Sequence, residues 1–78
     1  MDELDEIRCR MRISYLEARI ALREIEAAAL SREINSPLTS DTRRTELIQR
    51  RDPLLNEVSE LRAELDKLRN SFPSWALH

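Results

Sequence analysis

The chain has 78 residues, with 13 Lys plus Arg against 15 Asp plus Glu, 41% apolar residues, three aromatic residues and no glycine. That is one small domain at most, and the slightly acidic balance argues against a dedicated nucleic-acid module. Without glycine there is no Walker loop and no dinucleotide fingerprint, tight hairpin turns are disfavoured, and the Ala, Leu, Glu and Arg content favours helix.

No apolar run reaches the roughly 18–20 residues needed to cross a bilayer. The acidic start, Met1 to Glu6, resembles neither a secretory signal nor a basic transit peptide. The expectation is a cytoplasmic protein with no membrane partner. Cys9 is the one cysteine, so it can form no internal disulfide and no thiolate zinc site within one chain.

Residues 3–35 contain no Pro and predict one long helix. Asp2, Glu3, Asp5 and Glu6 lie at its start, where negative charge favours the helix N-terminus. The helix is expected to stop near Asn35, because Ser36 precedes Pro37 and a residue before proline resists the α conformation. Residues 36–41, Ser-Pro-Leu-Thr-Ser-Asp, form the turn, and Thr39, Ser40 or Asp41 can cap the next helix.

A second helix is expected over about 42–71, ended by Phe72-Pro73. Pro53 interrupts it, either as a kink or as the first position of a new helix behind Asp52. The apolar spacing decides for one kinked helix: Leu47, Arg51, Leu54, Val58, Leu61, Leu65, Leu68 and Phe72 keep alternating steps of four and three across the proline. Two helices of similar length joined by a short turn imply an all-α antiparallel hairpin, a coiled-coil-like single domain with a tail at 72–78.

The first helix carries two apolar stripes. At 100° per residue, Leu4, Ile7, Met11, Tyr15, Ala18, Leu22, Ile25 and Ala29 fall within about 80° of arc. Cys9, Ile13, Leu16, Ile20, Ala27, Leu30 and Ile34 form a broader stripe almost opposite. A basic strip (Arg8, Arg12, Arg19, Arg23) and a mainly acidic one (Glu6, Glu17, Glu24, with Arg10) separate them. The second helix has one main stripe, flanked by Arg62 and Arg69 on one side and by Glu57 and Glu64 on the other. Ile48 and Leu55 widen it near the turn.

One second helix cannot cover two opposite stripes. In an antiparallel pair like flanks meet, so the Ile13–Leu16–Ile20 stripe sets its acidic flank beside Arg62 and Arg69. That stripe is assigned to the hairpin. Leu4, Ile7, Met11, Tyr15, Ala18, Leu22 and Ile25 are assigned to an external contact, with a second copy in a four-helix assembly and with a protein partner. The bland alternative is a wide face packed in a small bundle, which still needs more than two helices. A competing arrangement zips two second helices in parallel through Glu57 to Arg62 and Glu64 to Arg69, opposed by Arg44 and Arg51 in its seam.

The chemistry-bearing residues are sparse. His78 is the one histidine and the last residue, where nothing holds a catalytic base in place. Cys9, beside Arg8 and Arg10, reads as a small buried filler rather than an activated thiol. The carboxylates lie on helical faces, and no Glu-x-x-His pair provides a di-iron site. No catalytic residue, cofactor, metal or small-molecule substrate is expected.

Two further surfaces deserve naming. The Arg8–Arg12–Arg19–Arg23 strip spans about 22 Å of helix and could track phosphates. In architecture only, with no shared motif, such a hairpin dimer resembles the Rop type of RNA-binding four-helix bundle. Phe72, Trp75 and Leu77 in the tail suit either a docking segment or a cover folded over the open end of the hairpin. The leading expectation is a non-catalytic interaction module: an adaptor, a scaffold piece or a small inhibitor of the phage-encoded type. RNA or other nucleic-acid binding is the alternative.

Overall fold

The computed structural model describes residues 3–71. Two helices account for its regular structure, α1 (Glu3–Ile34) and α2 (Asp41–Ser71), with no strand among the described residues. They pack side by side into a rod about 55 × 16 × 15 Å. Cross-helix contacts give the direction. Glu33 meets Arg43 beside the turn, Glu24 meets Arg62 further along, and Glu17 meets Arg69 near the open end. The helices are therefore antiparallel, as the short turn demanded.

The core is the seam between them. Leu16, Ile20, Val58 and Leu65 are buried together, with Ile13, Leu61 and Leu68 packed against them. Toward the turn, Ala27, Ile34 and Leu47 are also buried, and Cys9 is buried toward the open end. Every α1 member of this set belongs to the stripe assigned to the hairpin. Cys9 takes the filler role expected of it. Only Leu16 and Leu47 are completely shielded from water, so the seam is thin.

The turn is built without glycine and without any positive-φ residue among those described. A left-handed C-cap is the usual way to satisfy the last carbonyls of a helix, and polar side chains do that work here. The Thr39 hydroxyl donates to the Glu33 carbonyl, and Arg44 Nε donates to the Ile34 carbonyl at 2.9 Å. Arg44 Nη2 also reaches the Thr39 carbonyl at 3.2 Å. Its cation sits at the negative end of the α1 dipole. Among the three candidate caps, Ser40 is the one used: its hydroxyl accepts from Arg43 N–H at 3.2 Å. Ser36 Oγ accepts from the Leu38 N–H within the turn.

α2 runs unbroken through Pro53. The ring leaves the Gln49 carbonyl without its usual donor. Both Gln49 and Pro53 are exposed, so water can serve that carbonyl. Pro53 lies on the side away from α1, where bending turns the convex side to solvent. This placement explains why the apolar register survives the proline. Arg51, one of the cations expected to oppose a parallel zipper of second helices, is half-buried and extends toward Ser31 Oγ at 3.5 Å and Asp52 at 3.6 Å. Its Nε is buried without a hydrogen-bond partner.

Candidate interaction surface

The second α1 stripe faces away from α2. Leu4 and Tyr15 are 50% exposed, Ile7 47%, Leu22 62%, Ile25 65% and Met11 67%. Ala18 and Ala29 between them are exposed as well. Scattered exposed apolar residues are ordinary on a small protein. These form one continuous line along α1, and contiguous apolar patches on that scale mark contact surfaces. Beside them Ser14, Ala21 and Ala28, also exposed, recur every seven residues. They leave a low shoulder on which another helix can approach closely. Sequence reasoning overlooked that shoulder, although the seven-residue spacing signals it.

The rest of the surface around the stripe is held by two ladders of ion pairs. On one side Glu17 and Glu24 pair with Arg69 and Arg62, the flank match that favoured this face for the hairpin. On the other side Arg12 pairs with Glu64 at 2.7 Å, Arg19 with Glu57 at 2.7 Å, and Arg23 Nε lies 3.1 Å from Glu57. Glu57 raises the pKa of Arg19 further above its ordinary value, chiefly through their hydrogen bond. Arg12 also lies over the Tyr15 ring, 5.1 Å from its centroid. The ladder thus steadies one aromatic of the stripe.

These contacts change the standing of two earlier alternatives. Of the proposed phosphate contacts, Arg12, Arg19 and Arg23 are engaged by Glu57, Glu64 and Glu26. Arg8 alone of the four makes no ion pair among the described residues. The attraction invoked for a parallel zipper of second helices needs Glu57, Glu64, Arg62 and Arg69, and all four are committed inside the hairpin. Both ladders follow from one antiparallel pairing, which sets the basic strip of α1 beside the acidic flank of α2.

Among the described residues the other features offer less. An open depression near the turn is lined by Glu26, Ala29, Leu30, Glu33, Arg50 and Leu54, with no nucleophile or histidine among them. Among the described residues no cluster of His, Cys, Asp and Glu could hold a metal ion, and no helix is long and apolar enough to cross a membrane. The tail residues Phe72, Trp75 and Leu77, together with His78, lie outside the described residues. No family model matches the chain, and no curated protein or solved structure matches it significantly.

Proposed function

We propose that this hairpin is a non-catalytic protein–protein interaction module whose working surface is the outward stripe of α1. The observation that carries the reading is that Ile7, Met11, Tyr15, Leu22 and Ile25 stand 47–67% exposed in one line, on a helix whose opposite side is occupied. Leaving them wet forfeits the burial that drives association. A small two-helix core has little stability to spare, so covering this face stabilises the fold and forms the complex together. A straight stripe of this kind suits another helix, read through residues spaced three and four apart. Adaptor, scaffold and small-inhibitor roles all reduce to this contact.

The nucleic-acid reading has less support. Three of the four arginines it needs already have carboxylate partners, and freeing them for phosphate would cost those pairs.

The test compares wild type with Leu22→Asp and Ile25→Asp as baits in the source cell's lysate, with Glu60→Ala as a remote control. Proteins retained by wild type and the control, but lost with both stripe variants, are expected. An identical retained set for all four baits overturns the reading, provided circular dichroism shows the variants equally helical.

A further inference from the structure

The stripe has flanks as well as a ridge, and the charges on those flanks identify what can cover it. Most charged side chains of α1 are engaged within the hairpin. Glu3, Asp5, Arg8 and Arg32 make no ion pair among the described residues, Asp5 lying well off the stripe, and Glu26 is held only by the exposed Arg23 pair within its own helix. On the helical wheel, Glu3 and Arg32 lie within about 20° of each other on one border of the stripe, and Arg8 and Glu26 coincide on the other border. Along the helix, both pairs are centred on nearly the same level, between Tyr15 and Ala18. The signs are opposite within each pair.

A pattern of this kind reads as its own complement. Turn a second α1 end for end about an axis crossing the stripe between Tyr15 and Ala18, and like borders meet. Glu3 comes level with the copy's Arg32, and Arg8 with the copy's Glu26, each twice by symmetry. The ridge matches in the same register: Tyr15 lies opposite the copy's Ala18, and Met11 opposite the copy's Leu22, so the ring meets a small residue. On the shoulder, Ser14 meets the copy's Ala21. Arg12 with Arg19, and Arg8 with Arg23, are the like charges brought nearest, and Glu64 and Glu57 already hold Arg12, Arg19 and Arg23 in their own chain. A parallel copy brings opposite borders together instead: Glu3 then comes beside the copy's Arg8, but Glu26 and Arg32 meet no opposite charge, so only half of the pairs form.

Resting on the reading of the stripe as the contact surface, we infer that its occupant is a second copy of this chain, packed antiparallel along α1 with Arg8 and Glu26 paired across the two-fold axis. Because the two stripes of α1 lie on opposite sides, the product is not a closed four-helix bundle. It is a flat row, α2–α1–α1–α2, with an α2 helix on each outer edge. Such a row is two-faced and bivalent, which narrows the role to a scaffold or bridging piece. A partner wanting the α1 stripe would have to displace the copy.

Three measurements on the full chain test this. Sedimentation equilibrium from about 1 to 500 µM is expected to show a monomer–dimer equilibrium, lost in Leu22→Asp. Arg8→Glu or Glu26→Arg alone is expected to weaken the dimer roughly tenfold, and the double variant to restore it. Spin labels at Asp5→Cys, in a Cys9→Ala background, are expected about 35 Å apart, against about 10–20 Å for a parallel pair. A short label separation, or a double variant no better than the single ones, overturns the proposed pairing. A chain monomeric at every concentration overturns the copy as occupant, and the lysate comparison then decides separately whether the stripe binds anything. A dimer indifferent to Leu22→Asp overturns the assignment of the dimer contact to the stripe.

Discussion

Leu16 has no accessible surface and lies at the centre of the seam, against Ile20, Val58 and Leu65. Truncating it leaves a cavity that two rigid helices cannot close. Leu16→Ala is expected to cost about 2–5 kcal/mol, a large share of what a two-helix core supplies, and urea unfolding followed by circular dichroism would measure it. Ile20→Asp should go further and separate the helices, because a carboxylate there has no partner in the seam. Leu22, two residues on, points to water, and its change to Asp should leave unfolding of the single hairpin nearly untouched. The contrast between adjacent apolar positions is the residue-scale signature of a helix with two greasy sides. Equal destabilisation by Ile20→Asp and Leu22→Asp in the monomer would contradict it.

At the scale of the element, each helix is shaped by what its ends and its one irregularity require. α1 ends on side-chain donors, since its C-terminus has no glycine and Pro37 prevents continuation. Arg44, placed by periodicity in the seam of α2, instead turns back to the carbonyls of Ile34 and Thr39. A periodic count assigns a residue to a face, and cannot tell that a long cationic side chain will leave that face for a helix end. Pro53 is the converse case. Its spacing was legible: apolar steps on both sides stayed in phase, and α2 is continuous. Proline in an exposed helix interior costs about 3 kcal/mol relative to alanine. Pro53→Ala is therefore expected to raise stability by up to about that much, seen as a higher urea midpoint with an unchanged slope. An unchanged midpoint would mean that the proline is already accommodated without strain.

For the whole molecule, two ladders of half-exposed ion pairs align the helices and set their direction. Pairs such as Arg62–Glu24, Arg69–Glu17 and Arg12–Glu64 each contribute about 0.2–1 kcal/mol and are screened by salt. Raising salt from low to molar concentration should lower monomer stability only modestly, while an apolar contact between copies should persist. A dimer that dissolves in high salt would point to charge rather than the ridge as its main support.

The two helices, their turn, the antiparallel direction and the division of α1 into an inner and an outer stripe follow from local rules. Glycine-free periodic runs, a proline stop and alternating steps of three and four act within one or two helical turns, so they can be read along the chain. The fate of the basic strip could not be read that way. Whether Arg12, Arg19 and Arg23 wait for phosphate or bind Glu57 and Glu64 depends on residues 34 to 52 positions apart, brought level when the seam closes. The same closure turned a helix with two apolar sides into one with a single wet side, because an antiparallel partner of one helix's width can cover only the face it touches.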